Sequence, residues 1–233
     1  MKPIDVHLSK VRNIKEGALV LIDKPLTWTS FDVVNKIRYF LNKELHTGRI
    51  KVGHAGTLDP LATGLLIVCI GKFTKRISEI QKQDKEYTGT LSLGATTPSY
   101  DLETEIDKTF MTADIADQQI YEATKQFEGE IEQLAPAYSA VKVDGVRSYK
   151  KARKNVTVQL QPRHVTIDSF RITNINMPMV EFIVSCSTGT YIRSLVHDFG
   201  KALSNGAHLT ALSRTKIGHF HLGNAWKLKD VLQ

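Results

Sequence analysis

The run LLIVCI, residues 65–70, constrains this chain more than any other stretch. Continuously apolar and directly behind the glycine- and proline-rich GHAGTLDPLATG (53–64), it reads with Gly64 as a short buried strand. It is far too short to cross a bilayer, which takes about 20 apolar residues. A buried strand needs a folded body around it, and 233 residues are enough to bury a core. With 42% hydrophobic and 24% charged residues, disorder does not account for most of the chain.

Other segments supply that body. Ala18 to Asp23 reads as a strand stopped by Pro25. TSFDVVNKIRYFLNK then carries Phe31, Val34, Ile37 and Leu41 at helical spacing, with Thr29 or Ser30 as cap and Asp32 at the positive helix end. GKFTKRISEI suits a helix, and EYTGTLSLG alternates, with Tyr87, Gly89, Leu91 and Leu93 on one side. Residues 96–112 are polar and turn-rich, as in a surface loop. Further helices are expected in TADIADQQIYEATKQFEG, with Ile120, Ala123 and Phe127 inward, and in TYIRSLVHDFGKALSNG, with Ile192, Leu195, Phe199 and Leu203 in a stripe. RHVTIDSFRITNI and VEFIVSCS are strands. The expected fold class is α+β, a single domain over 1–233 with helices against one face of a largely antiparallel sheet.

The chemistry centres on Asp59, the only carboxylate in the 53–64 loop. An aspartate before a proline is either a turn residue bonding its own backbone or an acid held in a protected cleft. The length of the loop and its lead into the core favour the cleft. A buried carboxylate needs a counter-charge to stay ionised, and Arg193, at the start of a helix in STGTYIRSL, is the candidate; the alternative is a surface arginine. The loop lacks the Gly-Lys-Ser/Thr ending of a phosphate-binding loop. The eight histidines show no zinc spacing, and SAVK (139–142) lacks the companion motifs of serine acyl enzymes. The net charge of +7 favours a polyanionic partner. Lys142, Arg147, Lys150, Lys151, Arg153 and Lys154 gather around Tyr138 and Tyr149, a mixture that grips phosphates and stacks bases.

These blocks resemble the bacterial tRNA pseudouridine synthases of the TruB type. The resemblance lies in LIDKPLTWTSFDVVNKIR, GHAGTLDPLATGLLIVCIGKFTK, KEYTGTLSLG, PAYSAVKVDGVRSYKKAR, STGTYIRSLVHDFG and GAHLTALSRTKIGHF, in the family's order from about residue 16 onward. It implies a pseudouridine synthase fold and isomerisation of uridine-55 in the T-loop of tRNA, with the target base flipped out of the folded loop. By the same resemblance Asp59 is the nucleophile, Arg193 its counter-charge and Tyr87 the residue that stacks on the base and moves a proton. Tyr191 and Leu212 line the pocket, and His54 fills the space the uridine leaves. Lys24 and Lys75 match phosphate-contacting positions, and residues of about 135–160 form a basic loop that closes over the RNA arm. Substrate and product are isomers, so no metal or redox cofactor is expected. A noncatalytic tRNA-binding protein on the same fold is the competing class; it would have no use for an acid paired with Arg193.

Two departures stand out, Thr27 in place of the family's usual glycine and Ala135 before Pro136 where a proline pair is usual, and with the sequence ending at WKLKDVLQ the C-terminal RNA-binding PUA domain of many relatives is not expected. The partner expected is the T-arm stem-loop of tRNA, engaged by a monomer. Cys69 and Cys186 read as buried thiols of a reducing compartment, and the N-terminus has no apolar signal core. A cytoplasmic protein with no membrane partner is the expectation.

Overall fold

The structure is a computed structural model that describes residues 3–5, 7–11, 13–139, 141–143, 145–154, 156 and 160–233, the side chains of Lys142 and Val143 excepted. In chain order its elements are β1 (Ala18–Lys24), α1 (Ser30–Lys43), β2 (Val52–His54), β3 (Ala62–Ile70), α2 (Ile77–Gln81) and β4 (Lys85–Leu93). Then come β5 (Ala95–Thr96), β6 (Lys108–Thr109), α3 (Asp117–Thr124), β7 (Gly129–Leu134), β8 (Lys142–Val143), β9 (Val146–Arg147) and α4 (Ser148–Ala152). The remainder is β10 (Pro162–Asn176), β11 (Met179–Cys186), α5 (Ile192–Ala202), β12 (Ala207–Ile217), β13 (Phe220–His221), β14 (Trp226–Lys227) and α6 (Leu228–Val231). The chain forms two compact units, Met1–Tyr87 with Leu212–Gln233, and Thr88–Ala211.

In the first unit the strand order is β14–β1–β3–β12, with β2 on β3 and β13 on β12. β1 and β3 pair antiparallel over seven residues, from Ala18↔Ile70 to Lys24↔Gly64, whereas β1–β14 and β3–β12 are parallel. Alternation along β1 and β3 divides the apolar run between two cores. Val20, Ile22, Leu66, Val68 and Ile70 pack with Val33, Val34, Ile37 and Leu41 of α1 and with Leu228 and Val231 of α6. Leu19, Leu21, Leu65, Ile67 and Cys69 pack on the other side with Ala55, Ile80, Ile217 and Phe220. Both faces of these strands are therefore covered, which explains why the run is continuously apolar.

Helix α1 opens with a capping box: the Asp32 N–H donates to Thr29 Oγ1 at 3.0 Å and the Thr29 N–H to Asp32 Oδ2 at 2.9 Å. Phe31 is not on the inward stripe; it is 60% exposed, and Ser30 and Val33 are buried instead. Counted from Ser30, the buried face runs through 33, 34, 37 and 41, and Phe31 lies a step of about 100° to its side.

In the second unit the order is β4–β11–β10–β7, with β10 antiparallel to both β11 and β7. Phe170 and Phe182 of the sheet meet edge to face at 5.6 Å, and Phe199 of α5 meets Phe170 at 5.3 Å. Ile120 and Ala123 of α3 and Leu195 of α5 are buried; Phe127, expected inward, is only half-buried in a 3₁₀ turn after α3. Residues 71–76 are likewise a 3₁₀ turn, and α2 begins only at Ile77. The 96–112 stretch is not a plain surface loop. Thr97, Ser99 and Asp101 are buried within it.

Candidate active site

The loop carrying Asp59 belongs to the first unit and is fixed at several points. Pro60 sits second in a tight turn closed by the Ala62 N–H donating to Asp59 O at 3.1 Å, which the preset proline φ favours. One residue before the acid, the Leu58 N–H donates to Ser30 Oγ at 2.8 Å, and the same hydroxyl donates to Leu58 O at 3.2 Å. Arg214, fully buried, donates from Nε to Leu65 O (2.8 Å) and from Nη2 to Gly56 O (3.1 Å), tying both ends of the loop to β12. Gly64, at φ 97°, lets β12 come close: a Cβ there would lie 2.5 Å from the Arg214 carbonyl oxygen. Asp59 itself is half-buried. The acid thus sits on a backbone with little freedom.

Lys24 is placed otherwise than its expected phosphate contact requires. Its side chain is fully buried, and its ammonium donates to the carbonyls of Trp28 (2.5 Å), Pro25 (3.0 Å) and Pro60 (3.4 Å). Burial lowers its pKa from 10.5 to about 8; the Asp59 carboxylate opposes that shift and the Arg214 guanidinium reinforces it. Lys24 is a buried cation that braces the turn behind Asp59. Lys75 is exposed. His54 ends β2, half-buried, and burial holds its pKa below the usual imidazole range, a bond with the Gly56 backbone opposing and Arg214 adding. Leu212 is paired with Ala62, and the Thr63 hydroxyl donates to its carbonyl at 3.3 Å. Tyr87 is buried on β4 at 8% exposure.

Tyr191 and Arg193 belong to the second unit, at the start of α5. Gln133 of β7, 2% exposed, holds the Tyr191 backbone from both sides: the Tyr191 N–H donates to its Oε1 at 2.7 Å, and its Nε2 donates to Tyr191 O at 3.1 Å. The Arg163 guanidinium lies over the Tyr191 ring, 5.3 Å from its centre. Arg193 is buried and not the surface arginine a helix face would give. It donates from Nη1 to Ser99 O (3.1 Å) and from Nη2 to Tyr138 O (3.0 Å), and forms a buried ion pair with Asp101 at 3.5 Å.

In the basic segment Arg147, Lys150 and Lys154 are exposed, and Arg153 pairs with Glu103 at 2.6 Å beneath the Tyr149 ring. Lys142, counted with this cluster in the sequence, has its side chain outside the described residues. β8, β9 and α4 give the segment a hairpin and one helical turn.

Sequence reasoning assigns no role to Gln133, Asp101 or Arg214, and offers Ser30 only as a helix cap. Alternation along LSRTKI puts Arg214 on the same side as Leu212, a signal for an inward arginine. Asp101 had none, because a turn-rich polar stretch looks the same whether its carboxylates face water or an arginine.

The profile of the TruB family pseudouridylate synthase N-terminal domain matches residues 43–192, and that of the tRNA pseudouridylate synthase B C-terminal domain matches residues 193–233. A tRNA pseudouridine synthase B of Flavobacterium johnsoniae is 59% identical over 211 residues, 90% of this chain and 92% of its own. That of Phocaeicola vulgatus is 54% identical over 210 residues, 90% of this chain and 89% of its own. Among solved structures, a chain of a Cbf5-Nop10-Gar1 complex matches with a TM-score of 0.70 at 29% identity, over 99% of this chain and 60% of that one. A chain of an H/ACA RNP bound to a substrate RNA containing 2′-deoxyuridine matches with a TM-score of 0.68 at 28% identity, over 100% of this chain and 59% of that one. This chain thus spans about three fifths of the solved chains. Matched over nine tenths of its length by curated relatives at more than half identity, the chain belongs to the TruB family of tRNA pseudouridine synthases.

Proposed function

We propose that this enzyme converts uridine-55 in the T-loop of tRNA to pseudouridine, with Asp59 as its nucleophile. The C1′–N1 bond breaks, the uracil turns within the pocket, C5 bonds to C1′, and the proton leaving C5 is balanced by one gained at N1. Attack at C1′ or at C6 needs the carboxylate ionised, and removal of the C2′ proton on a glycal route needs it as a base. The observation that carries this reading is the fixation of the Asp59 backbone by Ser30, Lys24 and the Pro60 turn, a preorganised acid in the loop that bears the family motif.

Arg193 acts as the guanidinium that keeps Asp59 ionised, Tyr87 stacks on the flipped base and transfers a proton, and Tyr191 and Leu212 line the pocket. His54 fills the vacated place in the T-loop, Lys75 meets phosphate, and the basic segment closes over the T-arm. The protein works as a cytoplasmic monomer.

The test is incubation of unmodified tRNA transcript with the wild-type and Asp59→Asn proteins, followed by chemical mapping of pseudouridine. The variant is expected to make no product at position 55 while binding tRNA within about tenfold, ~1.4 kcal/mol, of wild type. Product at another position, or undiminished product from the variant, overturns the reading.

A further inference from the structure

Arg193 and His197 lie one turn apart on α5, so their side chains leave the same helix face. Both meet the same short loop. Arg193 takes the Ser99 carbonyl and pairs with the Asp101 carboxylate, and the residue between those two contacts, Tyr100, stacks on the His197 ring. The ring centroids are 3.8 Å apart and the planes differ by 11°. Tyr100 has φ 65°, the left-handed region that a bulky side chain rarely adopts and that costs roughly 1–3 kcal/mol. The residues on either side of it, Ser99 through its carbonyl and Asp101 through its carboxylate, both meet one guanidinium, while its own ring lies on His197. His197 Nδ1 is buried with no hydrogen-bond partner among the described residues, so the ring's visible role is its flat contact with Tyr100.

We propose that Tyr100 and His197 form a positioning pair for Arg193. The stack holds Tyr100 in its left-handed conformation, and the loop so held presents the carbonyl and carboxylate that set the guanidinium. The other side-chain bonds of the loop are local. The Thr97 and Ser99 hydroxyls both bond Asp101 O, and the Glu103 N–H bonds Asp101 Oδ1, but none of these reaches the helix. Only Arg193, His197 and the backbone bond from the Leu209 N–H to Tyr100 O bind residues 99–101 to other elements of the second unit, as far as the described contacts go. The pair touches no substrate in this proposal, which rests on the reading of Arg193 given above.

The experiment compares single-turnover pseudouridine formation, tRNA affinity and thermal melting for His197→Ala, His197→Phe, Tyr100→Phe, Tyr100→Gly and Arg193→Gln. His197→Ala is expected to lower the single-turnover rate about tenfold or more, with the Kd for tRNA within about threefold of wild type. His197→Phe and Tyr100→Phe keep two stacked rings and retain the rate within about threefold. Tyr100→Gly removes the ring yet suits the positive φ, so it is expected to lose rate without losing melting temperature. It carries the test if His197→Ala does not fold. The proposal is overturned if Tyr100→Gly or His197→Ala turns over like wild type, if His197→Phe falls as far as His197→Ala, or if rate loss follows loss of affinity. Should Arg193→Gln itself retain full rate, the failure belongs to the role assigned to Arg193.

Discussion

The hydroxyl of Ser30 bonds both backbone groups of Leu58, accepting from its N–H and donating to its carbonyl, so the first residue of α1 and the residue before Asp59 share one buried atom. A helix start is a natural place for such an anchor. The serine can fill the first helical position, next to the Thr29 cap, while its side chain is free to serve another segment. The rigidity of α1 is thereby passed to the loop that bears the acid.

Removing that atom tests the relationship. Ser30→Ala leaves the Leu58 N–H buried without its acceptor, at a cost of about 1–3 kcal/mol of stability. The single-turnover rate is expected to fall by about tenfold or more, because a small displacement of a reacting group is enough to do so. Denaturant unfolding and rapid-quench assays read the two effects. An unchanged rate would mean that Leu58 does not govern the position of Asp59.

Lys24 predicts a pH dependence of stability. Its pKa is 10.5 ordinarily and about 8 when folded. Below pH 8 the folded and unfolded chains both hold the proton, and the lysine contributes no slope. Between 8 and 10.5 only the unfolded chain binds it, so this group makes stability rise with pH until the gain levels off. Relative to Lys24→Met, the wild type should gain up to about 3 kcal/mol across that window, measured by urea unfolding at several pH values. Parallel curves for the two proteins would refute the shift. In Asp59→Asn the carboxylate that opposes the shift is gone, so the Lys24 titration should move lower still.

Thr27 stands where the family's first motif usually has glycine, and it keeps the conformation glycine would provide, with φ 71°. Its N–H donates to Pro60 O at 2.9 Å, so the strained residue helps hold the Asp59 turn. Thr27→Gly relieves the strain and gives back part of the gain as unfolded-state entropy, for a net stabilisation of about 1 kcal/mol. An upward shift of the urea midpoint at constant m-value is the expected result; a downward shift would show that the threonine side chain contributes more than its backbone costs.

The basic segment predicts a salt response. Lys150 and Lys154 are exposed, whereas Arg153 is already paired with Glu103. Lys150→Ala with Lys154→Ala should weaken tRNA binding and flatten log Kd against log salt by about one to two units of slope. Glu103→Gln should release Arg153 and tighten binding at low salt. Fluorescence titration over a salt series checks both, and a slope untouched by the double variant would place the phosphate contacts elsewhere.

Local chemistry makes much of this protein legible in its sequence. The alternation of EYTGTLSLG, the Thr29–Asp32 cap, the Asp59–Pro60 turn and the apolar run behind it depend on residues close in the chain, and each forms as its neighbours dictate. Family membership is equally readable, since motifs are strings. Tertiary structure alone decides the fate of the charges. Lys24 matches a phosphate-contacting position in the sequence and is a buried brace, Arg193 could equally be a helix-surface residue and is ion-paired with Asp101, and Asp101 carries no signal of its own. A charged side chain looks the same in a sequence whether water or a partner 92 positions away satisfies it, and the cost of burying it is met only where distant segments converge.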